Sequence, residues 1–221
     1  MVWTLPNILT LTRIALAPVI ALLPFINGYV PKLLAFIVFL VAAISDIYDG
    51  RLARERGQIT DLGKELDPLA DKLLLFATLI PIYWLTQSLR QYEIPWWGSF
   101  PLWVAILLVG REIAMTMLRR VAKKKGVVIA AGGAGKMKTI VQDTFIGAMI
   151  GWFAWVDMRE RFGWQGGWLS RLWEQFHGSL VAVTLAVAII LTLYSLVVYL
   201  YRYRRIFLDA ATGATGFGDG S

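Results

Sequence analysis

The residues best suited to chemistry are four aspartates, Asp46, Asp49, Asp67 and Asp71, which lie within or beside strongly apolar stretches. On helices, Asp46 and Asp49 (i, i+3) share one face, and Asp67 and Asp71 (i, i+4) share another. Clustered carboxylates in a low dielectric stay ionised only when cations neutralise them. Hard carboxylate oxygens suit Mg2+ or Mn2+, and four acids supply enough ligands for two ions. The spacing therefore predicts a metal site.

Two helices are needed to position these acids. Apolar stretches at 33–47 and 69–85 flank them, and the polar link 54–64 contains two glycines, which is typical of a turn. We therefore expect antiparallel helices that gather all four aspartates. On a soluble protein such pairs would be an ordinary solvated helix face, but between apolar flanks they are costly and indicate function. Gly50 and Gly63 leave room for a ligand to approach the backbone.

A second group of candidate residues is basic. Arg111 lies inside an apolar stretch beside Glu112, and Arg119 and Lys136 follow it. Because neighbouring residues point about 100° apart on a helix, Glu112 is expected to be a poor partner for Arg111. A buried guanidinium needs an anion, and a substrate phosphate held bidentately would serve. Arg111, Arg119 and Lys136 are therefore predicted to bind a phosphate, whereas the lysines at 123–125 are assigned to topology and lipid contact.

The acidic motif as a whole resembles the signature of a known family. From Asp46 to Asp71 it reads D-x2-D-G-x2-A-R-x8-G-x3-D-x3-D, and it matches the CDP-alcohol phosphotransferases without a departure. The segments 6–13, 66–72, 111–113 and 135–139 are similar to bacterial members that use glycerol 3-phosphate. The resemblance covers roughly residues 7–142.

The resemblance implies an enzyme that transfers the phosphatidyl group of CDP-diacylglycerol to glycerol 3-phosphate, giving phosphatidylglycerophosphate and CMP. It implies that the four aspartates hold the metal ions, that Asp71 also acts as the catalytic base, and that the protein is a homodimer. It further implies that a set of small and basic residues contacts CDP-diacylglycerol. This set is Gly50, Ala53, Arg54 and Gly63.

Composition indicates a membrane protein. With 57% hydrophobic and 17% charged residues and a mean hydropathy of +0.61, the chain is too apolar for a soluble domain of 221 residues. Apolar stretches at 9–25, 33–47, 69–85, 102–118, 139–156 and 180–200 predict an all-α integral membrane protein with six transmembrane helices and an amino-terminal juxtamembrane segment. Residues 1–209 are expected to form a single domain, followed by a flexible tail at 210–221. The absence of cysteine excludes disulfides and thiolate metal sites.

The distribution of basic residues predicts the orientation. Most lysines and arginines fall in connections that lie on one side, together with both termini. By the positive-inside rule this places both termini and the active site at the cytosolic face of the membrane. The membrane is expected to be the inner (plasma) membrane. The net charge of +7 then reports orientation and contact with anionic membrane lipids rather than nucleic acid binding. The tryptophan-rich segment 159–178 is expected to form a short helix on the outer surface.

Two kinds of alternative remain open from the sequence. Within the family, the acceptor could be inositol phosphate, serine or another alcohol, because a basic pocket favours a phosphorylated acceptor without choosing among them. Outside the family, intramembrane acids are also typical of cation- or proton-coupled transporters. That interpretation requires acids spread across the membrane depth, whereas these four are expected at the cytosolic ends of two helices.

Overall fold

The fold is a bundle of helices, known here from a computed structural model that describes residues 4–55, 61–124, 133–164 and 166–202. The α-helices are Leu5–Leu22 (α1), Tyr29–Glu55 (α2), Asp61–Ser88 (α3), Leu102–Lys124 (α4), Gly133–Phe162 (α5) and Trp168–Arg202 (α6). Short 3-10 turns occupy Leu23–Phe25 and Arg90–Tyr92. The described residues contain no β-strand, which confirms the all-α prediction.

Glycines at two helix boundaries explain where the chain turns. Gly28 has a φ of 96° and precedes α2, and Gly163 has a φ of 68° directly after α5. Only glycine adopts this left-handed conformation without a steric cost, so both positions end a helical run. The predicted separate helix in the tryptophan-rich segment is wrong, because from Trp168 onward that segment forms the first turns of α6.

The helices suit a membrane environment. Five of them contain segments long and apolar enough to span it: Asn7–Phe25, Tyr29–Asp46, Leu66–Ser88, Met137–Phe162 and Trp168–Tyr199. Large hydrophobic side chains are exposed on every α-helix, as lipid contact requires. The chain is therefore a multi-pass membrane protein. The sixth predicted span lies on α4, which is not among these five helices, and it stays a prediction.

Helix packing places α1, α2 and α5 at the centre of the bundle, since each has extensive contact with two other helices. Helix α1 packs against both α2 and α3, and α5 packs against both α2 and α6. The contact between α2 and α5 is close: a Cβ atom on Gly147 would lie 3.1 Å from the Phe39 ring. Small residues allow such approach between helices in lipid, where packing replaces the hydrophobic effect. The polar ends of α1, α2 and α3 are thereby gathered at one end of the bundle, which we call the aspartate end.

A buried polar network joins α2 to α5 at the end of the bundle opposite the aspartate end. Lys32 on α2 donates to Asp157 on α5 at 2.7 Å and to the Ile26 carbonyl at 3.1 Å, and Tyr92 also donates to Asp157. Burial and the neighbouring Asp157 raise the pKa of the Tyr92 hydroxyl, so it stays protonated and remains a donor. This network fixes α2 against α5 far from the motif aspartates.

Candidate functional site

Three motif aspartates converge on one arginine of α1. Arg13 Nη1 donates to Asp46 Oδ1 of α2 and, at 3.2 Å, to Asp71 Oδ1 of α3. Arg13 Nη2 lies 3.9 Å from Asp67 Oδ1, also on α3. The side chain of Arg13 is only 2% exposed, whereas those of Asp46, Asp67 and Asp71 are 46%, 53% and 61% exposed. The carboxylates are thus held from behind by a buried cation while their other sides remain open.

A second residue of α1 also holds the motif. Thr10 Oγ1 donates a 2.7 Å hydrogen bond to Asp67 Oδ1. Asn7, Thr10 and Arg13 are all buried, and their i, i+3 spacing places them on one face of α1. The sequence reasoning assigned these residues no role in the site. The available signal was Arg13 itself, since a charged residue inside an apolar span needs a partner just as Arg111 does.

The chemistry of this cluster fits a divalent metal. Carboxylate oxygens from Asp46, Asp67 and Asp71 are hard ligands of the kind that Mg2+ prefers, and they already surround a positive charge. In the positions that they occupy, no three acidic or histidine side chains of the described residues lie close enough together to share an ion. Asp49, the fourth predicted ligand, lies in α2, but its side chain is outside the described part.

Several other predicted site residues also lie wholly or partly outside the described part. Gly50, Ala53 and Arg54 belong to the last turns of α2, and Lys136 belongs to the first turn of α5, but beyond the course of these helices they are not described. Gly63 is buried in the first turn of α3. The binding roles assigned to these residues stay predictions.

The basic group is organised differently from the prediction. Arg111 Nη1 donates to Glu112 Oε1 at 2.8 Å, and Arg111 Nε donates to Ser195 Oγ of α6 at 3.2 Å. The expectation that Glu112 is a poor partner for Arg111 is therefore wrong, since two long side chains bridge the angle between their helix positions. Glu112 Oε1 also accepts from the buried Lys138 at 2.5 Å. Arg111 thus has an anion of its own, and the premise for its phosphate role does not hold.

Two cavities meet at the aspartates. The larger, of about 1190 Å3, is a mainly apolar groove between α2, α5 and the start of α6, and it extends from the aspartates to Trp155, Trp173 and Phe176. The smaller, of about 210 Å3, is polar. Its charged and amide-bearing walls are formed by Arg13, Asp46, Asp67, Asp71, Lys72, Glu112, Arg119, Gln142 and Asp143. Asp46, Asp67 and Asp71 line both cavities, so a group in the groove and a group in the polar cavity would meet there.

Comparison with known proteins identifies the family. Residues 3–193 match the CDP-alcohol phosphatidyltransferase family. The chain belongs to this family. Family members generally depend on a metal, which agrees with the ligand chemistry of the aspartate cluster.

Named bacterial relatives fall in the same family. The chain is 38% identical over 149 residues to a probable phosphatidylglycerophosphate synthase of Mycobacterium tuberculosis (strain H37Rv), with 66% of this chain and 65% of that protein covered. It is 39% identical over 160 residues to a CDP-diacylglycerol--glycerol-3-phosphate 3-phosphatidyltransferase of Bacillus subtilis (strain 168), covering 67% and 77%. The Escherichia coli (strain K12) protein of the same name is 29% identical over 211 residues, covering 95% and 100%. The chain thus spans just under two thirds of the length of the mycobacterial relative.

Proposed function

We propose that this protein transfers the phosphatidyl group of CDP-diacylglycerol to glycerol 3-phosphate, giving phosphatidylglycerophosphate and CMP. One observation carries the proposal: three motif aspartates stand where an apolar groove meets a small polar cavity. A lipid donor and a water-soluble acceptor need such a junction. Family membership and the names of the relatives support the same reaction.

The groove suits the donor. Its apolar walls would take the acyl chains, which leaves the diphosphate beside Asp46, Asp67 and Asp71. Those three residues and Asp49 would hold Mg2+ or Mn2+, in our proposal two ions. When bound, the metal would neutralise the diphosphate and the charge that develops on the transferred phosphate. Arg13 and Thr10 position the carboxylates. The cytidine diphosphate part would lie near a set formed by Gly50, Ala53, Arg54 and Gly63.

The polar cavity suits the acceptor. Arg119 lines it and is the best-placed described candidate to hold the acceptor phosphate. Lys136 remains a predicted contributor. Arg111 already has an anion, Glu112, and therefore does not require the substrate phosphate as a partner. By its hydrogen bond to Glu112 it steadies the Lys138 ion pair beside the cavity instead.

The proposed reaction needs one proton acceptor and no covalent intermediate. Asp71 takes the proton of the 1-hydroxyl of glycerol 3-phosphate. The hydroxyl oxygen forms a bond to the phosphorus that bears diacylglycerol, and the bond from that phosphorus to CMP breaks, so CMP leaves with the electron pair. Asp71 suits this role because it lines both cavities and its side chain is largely open.

The cellular setting is proposed from the charge distribution. The protein would lie in the inner (plasma) membrane with the aspartate end at the cytosolic face, where phosphorylated soluble acceptors are available. We further propose a homodimer of chains whose single domain spans 1–209, with the tail 210–221 taking no part in catalysis. Membrane lipids would contact the exposed apolar helix faces.

An acceptor panel tests the proposed function. Purified protein is incubated with CDP-diacylglycerol, Mg2+ and, separately, labelled glycerol 3-phosphate, inositol phosphate, serine or glycerol, and the lipid product is identified by mass spectrometry. We expect product only with glycerol 3-phosphate. Product with inositol phosphate or serine alone would assign another reaction of the same family, and no product with any of the four acceptors would refute the proposed function.

A further inference from the structure

Gln142 is a buried amide that the mechanism above does not use. It lies on α5, is 5% exposed and lines the polar cavity. Its Oε1 atom is fully buried and accepts no hydrogen bond among the described residues. A buried amide oxygen without a hydrogen bond destabilises the fold, so its presence in this cavity needs a compensating reason.

A buried ion pair lies one helical turn before Gln142 on the same face of α5. Lys138 precedes it by four residues, so both side chains lie on the same face of α5. Lys138 is fully buried and donates to Glu112 Oε1 of α4 at 2.5 Å. This ion pair links α5 to α4, and the neighbouring Oε1 atom of Gln142 accepts no hydrogen bond among the described residues. A polar group that a helix holds in place and that has no protein partner can orient a ligand by a hydrogen bond to its hydroxyl.

The cavity limits what this partner can be. At about 210 Å3 it is smaller than the roughly 300–1,000 Å3 of pockets for drug-sized ligands. If the reacting hydroxyl lies at Asp71 and the phosphate at Arg119, the middle of the acceptor lies between them. A hydroxyl both donates and accepts, and an amide offers both functions, since a half-turn of the group exchanges Oε1 and Nε2.

We propose that Gln142 binds the secondary hydroxyl of glycerol 3-phosphate and so determines the acceptor specificity of this site. The inference rests on the proposed function, because it takes glycerol 3-phosphate as the acceptor. It adds a specificity-determining residue to the polar cavity. Acceptors that lack a hydroxyl at this position leave the amide unpaired in the complex and bind more weakly.

The test compares two acceptors that differ only in the secondary hydroxyl. The full-length protein and Gln142→Met, which replaces the amide by an unbranched apolar chain, are assayed with glycerol 3-phosphate and with 1,3-propanediol monophosphate. Loss of one neutral hydrogen bond predicts a roughly five- to tenfold lower kcat/KM of Gln142→Met for glycerol 3-phosphate. The same variant should change by less than about twofold with propanediol phosphate, because no hydrogen bond is lost there. Its thermal stability should equal or exceed that of the wild type, since an unsatisfied amide has been removed.

A matched control is Thr192→Val on α6, away from both cavities. It also removes a buried polar group without a hydrogen bond, here the Thr192 hydroxyl. It should leave the kcat/KM of both acceptors unchanged. If Gln142→Met does not fold, Gln142→Asn serves instead, because its side chain is one methylene shorter and its amide no longer reaches the same position. It should give the same acceptor-selective loss. Equal losses with both acceptors, or none, would overturn the role of Gln142 while leaving the proposed function intact. A wild type that cannot use glycerol 3-phosphate would overturn both.

Discussion

Replacing Arg13 should destabilise the folded protein in the absence of metal and increase its stabilisation by Mg2+. Arg13→Met keeps most of the side-chain length but removes the cation that contacts Asp46, Asp67 and Asp71. Two charge-assisted hydrogen bonds are worth about 1.5 to 3 kcal/mol each. The three carboxylates are about half exposed, however, so water solvates much of the charge once the guanidinium has gone. We therefore expect the free energy of unfolding without metal to fall by about 1–3 kcal/mol.

The same variant should respond more strongly to Mg2+. Removing the Arg13 charge makes the net charge of the cluster more negative by one, so a divalent cation binds the cluster more favourably. Thermal unfolding of the solubilised full-length protein, in EDTA and across a Mg2+ series, measures both effects. Arg13→Met should start lower in EDTA and recover a larger increment with Mg2+ than the wild type does.

Arg159→Met is the matched control, because Arg159 pairs with Glu174 at 2.8 Å at the opposite end of the bundle. Its Mg2+ response should be that of the wild type. If Arg13→Met is as stable as the wild type in EDTA and shows the same Mg2+ increment, then Arg13 does not organise the acidic cluster, and the description of the site is wrong.

Three further predictions concern single residues. Asp71→Asn should lower kcat far more than it weakens CDP-diacylglycerol binding, whereas a parallel loss of substrate and metal affinity would make Asp71 chiefly a ligand. Arg119→Ala should raise the KM for glycerol 3-phosphate by roughly tenfold or more and leave the KM for CDP-diacylglycerol nearly unchanged, while Lys123→Ala changes neither; equal effects of Arg119→Ala on both substrates would place the phosphate elsewhere. Asp157→Asn should lower the free energy of unfolding by about 3–5 kcal/mol, because it leaves the buried ammonium of Lys32 without a counter-charge. Neither KM of the folded fraction should change, and an unchanged free energy of unfolding would contradict this prediction.

Local sequence pattern was sufficient for much of the fold and part of the site. The apolar stretches predicted the helices, and the i, i+4 spacing of Asp67 and Asp71 predicted that both carboxylates share one face of α3, where they lie beside a common partner, Arg13. That partner was not predicted, because Arg13 is separated from Asp71 by 58 residues and belongs to a different helix. Helical periodicity identifies the face on which a side chain lies, but it does not identify the helix that faces it.

The error at Arg111 has a different physical origin. The 100° between successive helix positions describes where side chains leave the backbone, whereas Arg and Glu are long enough to meet beyond it. The unpaired Oε1 atom of Gln142 could not be predicted from the sequence, since its lack of a hydrogen bond depends on which groups of neighbouring helices reach it. Such an absence becomes visible only once the helices that line the polar cavity are placed together.

The most direct test of the central claim is the fate of both halves of the donor. Protein supplied with CDP-diacylglycerol, labelled glycerol 3-phosphate and Mg2+ should release one CMP for each labelled lipid formed. EDTA should abolish both products, Mg2+ or Mn2+ should restore them together, and Zn2+ should do so poorly. Full turnover in EDTA, or CMP released with phosphatidic acid and no labelled lipid, would contradict a metal-dependent transfer to glycerol 3-phosphate.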